Sequence, residues 1–405
     1  MSERGPAGLS PLNPASPWAR HDVGLYVAAA GTSVVGALLV WSATERVDGT
    51  AYLVRHLVTA AVGMTLALLV SRVGQDRVRV AAPWVYAGSL LLLLAVLTPL
   101  GRTVNGSRSW IPLVGGFTVQ PAELAKVGLC LALATLLAGQ AERGLAPGRR
   151  EVALAAVLVA LPTALILLQP DLGSAAVVVA VGAVVVTVAG VPRRWVAGAV
   201  LLGLAVVVVA LTTPVLSDYQ RDRLTSFADP SADPQGSGYQ TRMVRLAIGA
   251  GGVWGQGFMQ GERTQGGYVP YQLNDFIFSV AGEELGFVGA TGLLLLLAFV
   301  VGRVLVVAAR AEDSFGRLVA VGVATWLAVQ VVQNVGMNLG LLPVTGLPLP
   351  FVSYGGSSML VSWVAIGLVD ATHATSARRW LGIAFRRVLW KDSRTTLPND
   401  EDDAR

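Results

Sequence analysis

The stretch VALAAVLVALPTALILLQPDLGSAAVVVAVGAVVVTV, from Val152 to Val188, decides the fold. Two apolar runs, Val152–Leu168 and Ala175–Val188, flank a short turn segment, Gln169-Pro170-Asp171-Leu172-Gly173-Ser174. A helix needs about 20 predominantly apolar residues to cross a bilayer. Only helices or closed barrels satisfy their backbone in hydrocarbon. The stretch therefore reads as two membrane-spanning helices joined by a tight turn. Leu90–Leu97, Val196–Leu211 and Leu293–Val301 repeat the pattern elsewhere.

Composition extends this reading to the whole chain. Of 405 residues, 54% are hydrophobic and 14% charged, and the mean hydropathy is +0.62. Soluble domains carry roughly 25% charged residues, so the bilayer is the solvent for most of this chain. The net charge of +5 comes from bases dispersed between apolar spans, which argues against a nucleic-acid partner. The single cysteine, Cys130, lies inside an apolar run, which excludes a disulfide framework and a cysteine-based metal site. The first 23 residues are polar and proline-rich, and the apolar stretch after them is long enough to stay as an anchor, so no cleavable signal is expected.

The expected fold is an all-α polytopic bundle of about ten transmembrane helices, at about 24–43, 54–71, 80–100, 121–139, 151–169, 174–191, 195–213, 276–309, 316–342 and 351–372. The eighth is expected to be a short inserted segment followed by a full helix. Arg72, Arg77 and Arg79, then Arg143, Arg149 and Arg150, then Arg193 and Arg194, then Arg310 and Arg317, and finally Arg378, Arg379, Arg386, Arg387 and Lys391 fall on one side. The excess of basic residues marks the cytoplasmic face, so both termini are expected on the cytoplasmic side. The segments are then a cytoplasmic tail, 1–23, a membrane domain, 24–372, and a cytoplasmic tail, 373–405, whose acidic end is expected to be disordered. The opposite face holds 101–120, 169–174, 343–356 and a long extracytoplasmic loop, 214–275, between spans seven and eight.

Four polar strings interrupt the apolar background. In Gln120-Pro121-Ala122-Glu123-Leu124-Ala125-Lys126, Pro121 suits a first helical turn. Glu123 and Lys126, three apart, share a helix face; charges in a span tend to mark function, although a structural ion pair fits the same spacing. Asp171, in the second string, reads either as a site residue or as the cap of the following helix. The third, Asn274-Asp275-Phe276-Ile277-Phe278, places Asp275 where the polar loop meets an apolar run, with Glu283-Glu284 deeper. Adjacent acids point about 100° apart on a helix, so one of the two is expected to serve packing or hydrogen bonding. The fourth, Asn338 to Ser358, breaks helix with Pro343, Pro348, Pro350, Gly346, Gly355 and Gly356. Irregular backbone at membrane depth occurs only inside protein or beside a wet cavity.

Taken in order, these strings resemble the SEDS family (shape, elongation, division and sporulation), and within it RodA more than FtsW, on Thr264…Val269-Pro270 and the compact tails. The resemblance runs from about Val40 to Asp370. It rests on Asn105 to Ile111, Gln120 to Lys126, Gln169 to Gly173, Gly238-Tyr239-Gln240, Ala247-Ile248-Gly249, Asp275 to Phe278 with Glu283 to Gly286, and Pro343 to Ser358. It implies ten spans and a peptidoglycan glycosyltransferase that joins lipid II units outside the membrane. It also implies a divalent cation (Mg2+ or Mn2+) and a class B penicillin-binding protein as crosslinking partner. Asp275 matches the family's proposed catalytic aspartate. Glu123, Lys126 and Asp171 match its other functional polar positions, and Arg108, Glu283, Ser353, Tyr354 and Ser357 complete the polar set expected to bind or support substrate. The chain departs from the family pattern at Tyr271 to Asn274, Met243-Val244 and Ala122.

Lipid II polymerisation needs a base near the attacking hydroxyl and positive charge on the departing diphosphate. Asp275 is the expected base or metal-positioning carboxylate, with a cation and Arg108 or Lys126 on the diphosphate. Two other classes remain open at this stage: a lipid II flippase and a catalytically silent scaffold for a penicillin-binding protein. An O-antigen ligase or polymerase is disfavoured by the Pro343 to Ser358 string.

Overall fold

A computed structural model of the chain describes residues 21–104, 107–113, 117–192, 194, 195, 197, 198, 227 and 236–394. The expected seventh span, 195–213, falls almost wholly outside the described residues, as do the first part of the loop after it, most of the tail 1–23, and the chain beyond 394.

The described chain forms α1 (Val23–Asp48), α2 (Ala51–Arg72), α3 (Gln75–Leu97), strands β1 (Arg102–Val104), β2 (Ser107–Pro112) and β3 (Thr118–Val119), then α4 (Pro121–Glu142), α5 (Arg149–Leu167) and α6 (Leu172–Val188). After the gap come α7 (Ser237–Ala250), α8 (Glu262–Gln265), α9 (Ile277–Arg310), α10 (Ser314–Leu339) and α11 (Gly356–Arg394). Helices α1 to α5, α9 and α10 are long and apolar enough to cross a membrane, and α6 is a shorter apolar helix. The fold is an all-α polytopic membrane bundle.

Local chemistry sets the ends. Asp22, Asp171 and Asp313 each accept a backbone N–H at the start of α1, α6 and α10, at 3.0, 2.9 and 2.7 Å, satisfying amides that a first turn leaves without partners. Pro121 occupies the first turn of α4. Gly340, in the left-handed region at φ 70°, stops α10. The last expected span differs most. Residues 351–355 are irregular, because Pro343, Pro348 and Pro350 with left-handed Gly346 (φ 73°) and Phe351 (φ 64°) hold the chain out of helix until Gly356. No proline occurs between Gly356 and Arg394, and α11 continues to Arg394 instead of ending near 372.

Helices α4 and α10 form the interior: 72% and 61% of their apolar windows are buried, against 17% of α5. Helix α10 packs against α4, α6, α9 and α11. Outward faces are apolar, as at Val27, Leu91 and Leu295, each 66% exposed, and suit lipid contact. Association between helices in lipid relies on close packing at small residues. At the α2–α11 crossing, a Cβ on Gly367 would stand 2.4 Å from the Ala67 carbonyl oxygen, and one on Gly63 would stand 2.8 Å from Cδ1 of Trp363.

The loops gather at one end, the loop face. There β1, β2 and β3 form an antiparallel sheet. Helix α9 is broken at Gly286 (φ 67°, ψ −167°), which yields the expected short segment followed by a full helix. The break leaves backbone groups that residues 252–257 satisfy. Gln256 and Gly257 donate to the Glu283 and Glu284 carbonyls at 2.9 and 3.1 Å, while Phe287 and Val288 donate to the Gly252 and Val253 carbonyls at 2.9 and 3.1 Å. Contact this close requires Gly255, whose Cβ would lie 2.1 Å from the Glu284 oxygen. At the opposite end, Asp370 of α11 accepts from the Asp22 amide at 2.8 Å and pairs with His21 at 2.6 Å, while Arg303 of α9 reaches Asp22 at 2.6 Å.

Gly367→Leu is expected to lower the melting temperature of the detergent-solubilised protein by several degrees. Gly88→Leu, at a helix position with nothing within 4 Å, is expected to leave it unchanged; a thermal unfolding scan of both checks this.

Candidate active site at the loop face

The segment bearing Asp275 is clamped from two sides. From the α11 side, Ser353 Oγ donates to the Asn274 carbonyl at 2.5 Å, the Tyr354 amide donates to Leu273 at 2.9 Å, and Asn274 Nδ2 donates to the Tyr354 carbonyl at 3.0 Å. From α10, Asn334 and Asn338 donate their amides to the Asp275 carbonyl at 2.9 and 3.2 Å. Asp275 also makes further polar contact. The divergent positions before it are engaged as well, since Gln272 donates to the Ala43 and Thr264 carbonyls at 2.8 and 3.2 Å.

Gln330, Asn334 and Asn338 lie four residues apart on α10 and share one face; all three are fully buried. Asn334 also donates to the Leu347 carbonyl at 2.7 Å, and Gln330 donates to Pro348 at 2.9 Å. The ladder therefore holds both irregular segments, 272–276 and 343–355. At its inner end, Gln330 Oε1 accepts from Lys126 Nζ at 3.0 Å and from Trp326 Nε1 at 2.5 Å. Lys126 pairs with Glu123 at 2.7 Å, both without solvent exposure, and lies 5.1 Å from the Trp326 ring centroid. A continuous polar path thus joins the Glu123–Lys126 pair to the backbone of Asp275.

Other sequence-predicted residues join this construction in different ways. Asp171 caps α6 through Ser174 and also accepts from Gln120 Nε2 at 3.1 Å, so the cap and the neighbouring polar string are one unit. Ser357 Oγ accepts from the Gln120 amide at 3.3 Å. Arg108 Nε donates to the Gly101 carbonyl at 3.0 Å, bracing the β1–β2 hairpin. The two acids of α9 both anchor the loop in front of them. Glu283 accepts from the Arg263 and Thr264 amides and from Thr264 Oγ1 at 2.7–2.9 Å. Glu284 accepts from Ser42 Oγ at 2.6 Å and from the Met259 amide at 3.2 Å. Lys126, enclosed between Glu123 and Gln330, holds α4 to α10 rather than facing the loop surface.

Sequence reasoning missed Gln330, Asn334 and Gln120 as site builders. The signal was available: amides recurring every four residues within an otherwise apolar span are costly unless paired. Among the described residues no three His, Cys, Asp or Glu side chains converge into a metal-binding group. The donor set fits only a cation held by one carboxylate together with oxygens of a phosphorylated ligand, a common mode for Mg2+.

Comparison with known proteins follows the same residues. The family model of FtsW, RodA and SpoVE, described as cell cycle protein, matches residues 23–378. The chain is 37% identical over 346 residues to the peptidoglycan glycosyltransferase MrdB of Escherichia coli K12, covering 84% of this chain and 90% of MrdB. It is similar in structure to a chain from a study of how a peptidoglycan synthase complex coordinates polymerization and crosslinking, with TM-score 0.75, 37% identity and coverage of 88% and 98%. It is also similar to the rod shape determining protein RodA of Thermus thermophilus, with TM-score 0.65, 34% identity and coverage of 88% and 97%.

Lys126→Met leaves Glu123 as an uncompensated buried charge and is expected to cost about 3–5 kcal/mol of stability. The double change Glu123→Leu with Lys126→Met removes both charges and is expected to recover most of that loss. Chemical or thermal unfolding in detergent measures both.

Proposed function

The chain belongs to the FtsW, RodA and SpoVE family of cell cycle proteins, and from that premise we propose that it polymerises lipid II into glycan strands at the outer face of a bacterial cytoplasmic membrane, with Asp275 as its catalytic carboxylate. It is a peptidoglycan glycosyltransferase and a multi-pass membrane protein. The observation that carries the assignment of Asp275 is its double clamp: α10 amides grip its carbonyl while Ser353 and Tyr354 grip the two residues before it. Preorganisation of this kind lowers the barrier, because the reacting group need not be ordered during reaction.

In the reaction a sugar hydroxyl of one substrate attacks the anomeric carbon of another, and a lipid diphosphate departs. Asp275 takes the proton from the hydroxyl. Asp275 is the residue that would hold a divalent cation, which would supply charge neutralisation to the leaving group. The Glu123–Lys126 pair acts indirectly, by fixing the α10 ladder through Gln330. Asp171 with Gln120 fixes the turn before α6 and the start of α4 against Ser357. Both termini face the cytoplasm in this reading, on the charge bias of the loops. A class B penicillin-binding protein is the proposed partner, on the likeness to a chain of a synthase complex that couples polymerization to crosslinking.

Asp275→Ala is expected to reduce glycan synthesis by about a hundredfold or more with unchanged membrane insertion. The assay is purified protein with lipid II and Mg2+ or Mn2+, with and without the transpeptidase partner. Glycan chains made at the wild-type rate by the mutant would remove Asp275 from the mechanism. Lipid translocation without polymer by the wild type would favour a transporter, and no product under any pairing would favour a scaffold. Asn334→Leu, which removes the grip on the Asp275 carbonyl, is expected to lower the turnover rate by about tenfold or more while leaving substrate affinity nearly unchanged.

A further inference from the structure

The segment that carries Asp275 opens on a residue its backbone does not suit. Tyr271 has φ 53°, in the left-handed region, where a bulky side chain crowds its own backbone and where glycine or asparagine is the ordinary occupant. The turn explains the conformation. The Tyr271 carbonyl accepts from the Asn274 amide at 3.1 Å and from the Phe276 amide at 3.4 Å, which closes a tight turn around Asp275. Glycine would make the same two bonds without strain, so the turn does not explain an aromatic ring. Burial does not explain it either. Tyr271 is 46% exposed and is the one exposed position of 271–276, where Gln272 and Phe276 are buried and Asp275 is half-buried. A bulky residue held in a sparsely populated conformation points to a function. The result is a large half-exposed aromatic surface four residues from the proposed catalytic carboxylate, in the stretch where the chain departs from the family pattern.

We propose that Tyr271 is a carbohydrate platform, whose ring takes the C–H face of a substrate pyranose and holds that sugar before Asp275. A pyranose chair presents axial C–H bonds, which are slightly positive, and the face of an aromatic ring is negative. The two stack while the sugar hydroxyls stay in water. Tyrosine suits the task because its ring is stiff, with two χ angles to fix, and its own hydroxyl can remain wet. The turn bonds tie residue 271 to 274 and 276, and α10 and the start of α11 grip 273–275, so the root of the ring and the carboxylate are held as one unit. Both an incoming lipid-linked unit and a growing glycan end carry such a sugar, and the test separates them. The substrate class rests on the polymerase reading above; the presence of an aromatic binding surface rests on the strain and exposure of Tyr271.

The test is equilibrium binding of lipid II, of a lipid-linked tetrasaccharide and of sugar-free undecaprenyl diphosphate to the full-length protein in detergent. Tyr271→Asn removes the ring but keeps a residue that tolerates the left-handed turn. It is expected to weaken at least one of the two sugar ligands about threefold to tenfold and to leave undecaprenyl diphosphate unchanged. Loss with lipid II assigns the ring to the incoming unit, and loss with the tetrasaccharide alone assigns it to the growing end. Tyr271→Phe, which keeps the ring, is expected to bind like the wild type. Tyr271→Asn and Tyr271→Gly are expected to keep or raise the melting temperature, because both suit the backbone. A lowered melting temperature in both shows the ring to be structural and overturns the proposal. Unchanged binding of both sugar ligands by Tyr271→Asn also overturns it, as does a parallel loss of undecaprenyl diphosphate or a Tyr271→Phe protein as weak as Tyr271→Asn. No sugar is transferred in the assay, so the two readings fail separately. Ring-dependent binding by a wild type that makes no glycan sinks the polymerase and leaves the platform; glycan synthesis with ring-independent binding does the reverse.

Discussion

Everything at the loop face depends on one constraint: backbone that leaves the helix within the bilayer must find every hydrogen-bond partner inside the protein. The chain meets it twice. At Gly286 the break in α9 is matched group for group by residues 252–257. Around Pro343 to Gly355 the unpaired carbonyls are met by the amides of Gln330 and Asn334. These two solutions are what permit non-helical segments, and hence a shaped site, at a depth where lipid offers no water.

The same constraint explains why the charged residues of the membrane domain are arranged as they are. Glu123 and Lys126 neutralise each other without solvent, a pairing that seldom adds net stability compared with apolar residues. Its value here is positional, because Lys126 orients Gln330 and so the foot of the ladder. Glu283 and Glu284 similarly spend their acceptor capacity on the loop from Met259 to Gln265. Buried acids thus serve as anchors for backbone, and the reacting carboxylate is set apart from them at the end of the polar loop.

How far this was legible from sequence differs by feature. The spans were readable because apolar runs such as Val152–Leu168 have no other solvent. The interruption of the eighth was readable from the short apolar run ahead of Glu283-Glu284-Leu285-Gly286. The Glu123–Lys126 pair followed from helical spacing. The start of the last helix was misplaced because Phe351 and Val352 extend the apolar pattern while Pro350 and the left-handed Phe351 keep the backbone irregular. The continuation of α11 to Arg394 was missed because charge composition argued for a tail, and local helical preference prevailed. Asn334 and Gln330 gave a periodic signal that one apolar window obscures.

The cluster at the opposite end of the bundle bears on biogenesis. Asp22 and His21 stand at the first turn of the first span, and their partner Asp370 arrives 348 and 349 residues later. A ribosome feeding the membrane must therefore deliver α1 long before either Arg303 or Asp370, the two groups that fix its start, exists. Arg303 of α9 reaches Asp22 earlier in the chain than Asp370 does, so the start of the opening helix is secured in two steps, first from α9 and then from α11.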